Sequence, residues 1–150
     1  MPIRDASIDD LAAIVAIYNA AIPGRLATAD LEPISVESRR PWFNEHLPGS
    51  RPLWVLEEAG AIMGWLSLQA FHVRPAYHAT AEVSVYVAPD AQRRGYAQKL
   101  LAQAIERAGE FGIATVLALI FGHNEPSLAL FRSFGFETWG HLPRVAELDG

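Results

Sequence analysis

The chain has 150 residues, 51% apolar and 19% charged, which excludes a disordered segment and allows one domain over 1–150 with a real core. A net charge of -5 leaves no overall basic surface for nucleic acid, and the lack of cysteine removes disulfides, zinc thiolates and a thiol nucleophile. The charged start lacks the apolar core of a signal peptide, and no apolar run, that inside 113–121 included, is long enough to span a bilayer, so a soluble cytoplasmic protein is expected.

Ile3 and Arg4 can form a short first strand. Ser7, with Asp10 three residues on, has the pattern of a helix N-cap and its acidic partner. Leu11, Ile14, Val15, Tyr18 and Ala21 follow at helical spacing, and Pro23-Gly24 ends that helix. Residues 24–34 read as a polar, turn-rich loop, and 35–46 as a second helix that Pro41 must distort or restart. Strands at 53–57 and 62–69 flank Glu58-Ala59-Gly60-Ala61 as a hairpin, with a loop at 70–79 beyond it.

The next strand, 80–87, places Ala81, Val83, Val85 and Val87 on one face and Thr80, Glu82, Ser84 and Tyr86 on the other. Ala97, Leu100, Leu101, Ala104, Ile105 and Ala108 make the apolar stripe of a third helix, stopped by Gly109 or Gly112. Residues 113–121 are nearly all apolar, as in a strand buried on both faces. Asn124 caps a fourth helix, with Pro126 in its first turn and Gly135 beyond its end, and Phe136–Trp139 forms a last strand. The order predicts an α/β fold: a mixed sheet with helices on its faces and a strand–helix–strand crossover at 80–121.

Gln92-Arg93-Arg94-Gly95-Tyr96-Ala97 makes a basic turn between that strand and the third helix. The helix start offers unpaired N–H groups and partial positive charge, the arginines add full charges, and Gly95 lets the backbone approach an anion. Solvated arginines beside an ordinary turn would show the same local string. The strand–turn–helix context favours a phosphate-bearing ligand, and neither GxxxxGK[ST] nor GxGxxG is present to mark a nucleotide site. Glu82 is the other residue that stands out, because a carboxylate is disfavoured inside such a strand. Partial desolvation would raise its pKa and suit it to act as a general base near neutral pH. A solvent-facing glutamate fits the strand pattern equally well.

The string Val85–Ala97 resembles the cofactor motif Q/R-x-x-G-x-A/G of the GNAT superfamily of N-acetyltransferases. Asn124–Phe136 is similar to their second block, N-x-x-S-x-x-L-[FYH]-x-x-x-G-F. Ile17-Tyr18-Asn19, Trp42-Phe43 and the 80–87 strand resemble the phosphinothricin and methionine sulfoximine acetyltransferase branch. The resemblance implies a GNAT-type mixed central β-sheet flanked by helices, the acyl-CoA N-acyltransferase fold. It implies an enzyme that uses acetyl-CoA, and no metal, to acetylate the primary amine of an amino acid or analogue, working as a homodimer. Glu82 matches the general base. Backbone groups of Val85 and Val87 would pair with the pantetheine arm, and an N–H at Val85 or Tyr86 would face the oxyanion. N–H groups of Arg93, Arg94, Gly95, Tyr96, Ala97 and Gln98 would bind the pyrophosphate, Asn124 would bond the pantetheine, and Ser127 would lie near the cofactor. Arg74 would grip an acceptor carboxylate, with Tyr77 in the pocket wall.

There are two departures from the family pattern. Phe131 stands where many members carry a tyrosine that protonates the departing thiolate, which leaves water, Tyr96, Tyr86 or no acid at all. The chain ends at Gly150, where members continue into another strand, so the last strand is expected to be short or missing, with the dimer contact and one pocket wall open. Alternatives that the residues leave standing are acetylation of a protein N-terminus or polyamine, and a non-catalytic acyl-CoA-binding module. His72, His78 and His123 show no metal-ligand spacing and read as loop histidines.

Overall fold

In the computed structural model, which describes residues 2–150, the alternating segments assemble into one five-stranded sheet. β1 (Ile3–Asp5), β2 (Leu53–Glu58), β3 (Ala61–Ala70) and β4 (Thr80–Val87) pair antiparallel in that order, and β5 (Thr115–Leu117) joins β4 in parallel. Ala59 and Gly60 turn the β2–β3 hairpin with φ of 52° and 80°, the two-residue geometry that suits strand twist.

Helix α1 (Leu11–Ala21) follows a 3-10 turn at Ile8–Asp10, where the Asp10 carboxylate accepts from the Ser7 N–H at 2.7 Å. Arg4 bonds the same carboxylate and holds it below the usual carboxylate range. Helix α2 (Val36–Asn44) starts at Ser35, whose Oγ accepts from the Ser38 N–H at 3.1 Å. It runs through Pro41 without restarting. The ring removes only the donor for the Glu37 carbonyl, while Trp42 and Phe43 anchor the helix on the core. Helix α3 (Tyr96–Arg107) continues as a 3-10 turn and stops at Gly112, which is left-handed with φ 71°. Helix α4 (Glu125–Ser133) is capped by Asn124 Oδ1, which accepts from the Ser127 N–H at 3.2 Å.

Two hydrophobic clusters flank the sheet. Leu100, Leu101 and Ala104 of α3 and Phe131 of α4 meet Leu56, Leu66, Leu68 and Val83 on one side. Ile14, Ile17 and Tyr18 of α1, with Trp42 of α2, meet Val55 and Trp65 on the other. No helix among the described residues is long and apolar enough to cross a membrane.

Two predicted strands differ from the structure. Of 113–121 only Thr115–Leu117 pairs, and Leu119 is 74% exposed rather than buried on both faces. β5 is a sheet edge, and an apolar run reads the same whether one flank or both are covered. Residues 136–139 form no strand. Phe136 packs edge-on against Phe131 at 4.9 Å, and no strand pairs with the segment to satisfy its backbone groups.

Candidate active site

β4 and β5 pair only as far as Glu82↔Leu117, whereas β4 continues to Val87. The Ala88 N–H donates to the Met63 carbonyl and the Thr80 carbonyl accepts from the Phe71 N–H, so even-numbered positions of β4 direct their backbone groups at β3. By the two-residue period of a strand, the N–H and C=O groups of Val83, Val85 and Val87 point the other way, into the gap beyond β5. That gap is an open cleft of about 430 Å³, bordered by Val83–Tyr86, Ala118–Phe121, Asn124, Ser127, Phe131 and Ala27. Its strand edge can accept an extended, amide-bearing arm as an added strand. The Tyr86 N–H belongs to the β3 side, so Val85 is the member of that pair able to present a backbone donor to the cleft.

Glu82 is half-buried at the last β4–β5 pair, opposite Gln69 of β3. Burial pushes its carboxyl above the ordinary value, and among the described residues no neighbouring cation or donor offsets the shift. The Tyr86 hydroxyl donates to the Ala27 carbonyl at 3.0 Å, and burial pushes it well above the usual tyrosine range. The Tyr96 hydroxyl bonds the Glu58 carboxylate at the end of β2, outside the cleft lining. Of the two tyrosines that could replace the missing acid, only Tyr86 therefore borders the cleft. Phe131, buried and without a proton to give, closes one side.

At the start of α3 the first intrahelical bond runs from the Lys99 N–H to the Gly95 carbonyl, which leaves the N–H groups of Tyr96, Ala97 and Gln98 without a helical acceptor. Gly95 (φ 79°) and Arg93 (φ 63°) are left-handed, and the Arg93 and Arg94 side chains are exposed. A Cβ on Gly95 would meet only Gln98 Oε1, at 3.5 Å, so backbone conformation rather than crowding selects glycine there. Asn124 uses its oxygen to cap α4 and its Nδ2 on the Leu26 carbonyl at 3.1 Å.

The cleft thus gathers Val85, Tyr86, Asn124 and Ser127, with Glu82 adjoining. Arg74 and Tyr77 stand apart, in the exposed loop 71–78, where Tyr77 packs on His72 and Phe71. Other residues that shape the site carry little or no sequence signal. His46 Nδ1 bonds the Trp42 carbonyl at 2.8 Å and Nε2 bonds the buried Ser67 Oγ at 2.7 Å, and burial pushes the imidazole below its usual value. Its spacing four residues after Trp42 was the one available hint. Trp65 stacks on Tyr86 at 4.8 Å, which fixes that ring beside the cleft. Ala27 lies in a loop with no motif. Among the described residues no group of three or more His, Asp or Glu side chains converges as a metal site.

A mixed sheet with a split between two parallel strands, and a glycine turn feeding a helix beside it, is the arrangement that the resemblance to N-acetyltransferases implies. The sequence model of the Acetyltransferase (GNAT) family matches residues 13–136. YwnH of Bacillus subtilis, whose name assigns it provisionally as a phosphinothricin acetyltransferase, is 47% identical over 151 residues, covering 100% of this chain and 92% of that protein. The L-methionine sulfoximine/L-methionine sulfone acetyltransferase of Pseudomonas paraeruginosa is 34% identical over 149 residues, covering 99% of this chain and 87% of that protein. The crystal structure of a GNAT superfamily phosphinothricin acetyltransferase from Sinorhizobium meliloti in complex with AcCoA superposes with a TM-score of 0.91 at 31% identity, covering 99% of this chain and 81% of that one. The chain belongs to the GNAT family of acetyltransferases, and it is an N-acetyltransferase.

Proposed function

We propose that this chain, acting as one domain over 1–150, moves the acetyl group of acetyl-CoA to the primary amine of an amino acid or analogue of the phosphinothricin or methionine sulfoximine kind. The observation that carries the reading is the split between β4 and β5, which leaves the backbone groups of Val83, Val85 and Val87 open beside a half-buried Glu82. Acetyl-CoA, when bound, supplies an activated thioester. Val85 and Val87 would pair with its arm, and the free N–H groups of Tyr96, Ala97 and Gln98, with Arg93 and Arg94 nearby, would face its pyrophosphate. Asn124 and Ser127 would border the arm from the α4 side.

Glu82 would take a proton from the incoming ammonium, directly or through a water, and the neutral amine would then attack the thioester carbon, forming the amide C–N bond as the C–S bond breaks and coenzyme A leaves as its thiolate. The Val85 N–H is aimed to stabilise the oxyanion, and most of the acceleration comes from aligning the two reactants. The relatives' acceptors support an amino acid as substrate. Loop 71–78 is exposed throughout, and among the described residues the Arg74 guanidinium bonds no acceptor, which leaves it available to a carboxylate, with Tyr77 alongside. A cytoplasmic homodimer belongs to the same proposal, since Leu119 exposes apolar surface next to the open β5 edge; sedimentation as a monomer at assay concentration would remove it.

The test is a thiol-release assay with acetyl-CoA against amino acids, their analogues, polyamines and peptides, run on the unaltered chain and on Arg74→Ala. Release with amino acids or analogues, and a higher KM for carboxylated acceptors in the variant, is the expected result. Release with polyamines or peptides alone would overturn the acceptor class. Coenzyme A binding without release for any amine would instead leave a binding module.

A further inference from the structure

Three consecutive carbonyls in the connection between α1 and α2 are held by side chains from outside it. His123 Nε2 bonds the Arg25 carbonyl at 2.7 Å, Asn124 Nδ2 the Leu26 carbonyl at 3.1 Å, and the Tyr86 hydroxyl the Ala27 carbonyl at 3.0 Å. His123 and Asn124 lead into α4 on one wall of the cleft, and Tyr86 lies on β4, the opposite wall. Residues 25–27 therefore form a strap across the gap, and Ala27 lines it. The far end of the strap is fixed on α1, where the Tyr18 hydroxyl bonds both Thr28 Oγ1 and Asp30. Arg25 sits at φ 54°, a conformation that an L side chain rarely adopts, so the turn into the strap needs holding.

The imidazole of His123 is constrained twice. It stacks on Phe121 of the cleft lining, with ring centroids 5.6 Å apart and planes 10° from parallel, and the carbonyl it faces requires the proton on Nε2. His123 does not itself line the cleft. Asn124 and Tyr86 do, so removing either would disturb the cofactor wall as well as the strap. His123 isolates the strap.

We propose that His123 is a positioning residue for acetyl transfer: its Nε2–H latches residues 25–27 across the cleft and thereby sets acceptor affinity. The inference rests on the acetyltransferase reading above. The strap continues from α1, on the sheet face that carries the Tyr86 and Glu82 side chains, and an amine must approach Glu82 from that face. With the latch gone, the Arg25 end of the strap loosens while Asn124 and Tyr86 still hold the Leu26 and Ala27 carbonyls, and the acceptor must order that end as it binds, which raises KM. The reacting geometry of β4 and the arm along its edge stay as they were.

The experiment compares the unaltered chain, His123→Ala and His123→Gln by steady-state kinetics and by hydrogen exchange of the peptide covering 24–30. His123→Ala should raise the acceptor KM about five-fold, as expected for one neutral hydrogen bond, while kcat and acetyl-CoA affinity change by less than about two-fold. Exchange in 24–30 should quicken while α4 stays protected, and His123→Gln, whose side-chain amide can donate to the same carbonyl, should reverse both effects. An unchanged KM, a loss confined to kcat, or a failure of glutamine to restore the bond would each overturn the assignment. Absence of thiol release from the unaltered chain sinks the acetyltransferase reading and the kinetic part with it, whereas unaltered exchange in His123→Ala sinks the latch alone.

Discussion

Gly64 of β3 offers a direct test of how tightly the frame sets the cleft. A Cβ built there would lie 2.9 Å from the Tyr86 backbone oxygen and 3.4 Å from both Leu100 Cδ1 and Val87 Cγ2. The nearest atom is main chain and cannot rotate away, so in Gly64→Ala the two strands must part by a few tenths of an ångström. Overpacking of this kind costs about 1–3 kcal/mol. The reduced freedom of the unfolded chain returns about 0.4–1 kcal/mol. The net loss is then roughly 0–2.6 kcal/mol, with a midpoint of about 1.3 kcal/mol, or a Tm lowered by about 3–5 °C at the midpoint for a chain of this size. The displaced strand is the one that carries Val85 and Glu82. Since a 1 Å misplacement costs about 100-fold, a shift of a few tenths should cut kcat roughly four-fold. Thermal unfolding and steady-state turnover of the purified variant read both effects. A Tm that rises, as it would if only unfolded-state entropy mattered, would refute the close-approach argument, and full turnover at a lowered Tm would detach the β3–β4 spacing from the chemistry.

Glu82→Gln should lower kcat by about 100- to 1,000-fold while calorimetry finds acetyl-CoA affinity unchanged. Because burial raises the Glu82 pKa, the base form is gained above its ordinary value of 4.5, so the unaltered rate should climb with pH through that raised value and the variant should lack that limb. Gly95→Ala, at φ 79°, should destabilise by about 1–2 kcal/mol in denaturant titration, and Gly95→Glu should also weaken acetyl-CoA binding through bulk and repulsion. His46 has its pKa lowered by burial, so it binds its proton more weakly in the folded chain than when unfolded. Its contribution is present above the unfolded value of 6.5 and is lost as pH falls from there toward the depressed folded value. His46→Gln should flatten that part of the stability–pH curve, and an unchanged slope would show that the buried imidazole is not its source.

Local pattern was enough where a residue's neighbours in sequence are also its neighbours in space. The alternation at 80–87 fixed the bounds of β4, the 97–108 stripe marked α3 to within a residue at each end, and Asn124 with Pro126 located the start of α4. The glycine turn into α3 was legible for the same reason, since its glycine and its helix start are consecutive. The apolar run 113–121 was misread because flank coverage is a long-range property, and so was 136–139, where pairing needs a strand edge from elsewhere.

What the tertiary structure alone decided is how the walls of the cleft meet. The parity of the β4 backbone, which turns Val85 toward the gap and Tyr86 away from it, depends on register with β3. The strap at 25–27 depends on donors 59 to 98 positions away in the chain. Helix and strand periodicity constrain residues a few positions apart, whereas a hydrogen bond across a cleft forms between groups that only the folded sheet brings to about 3 Å, and no local pattern encodes that distance.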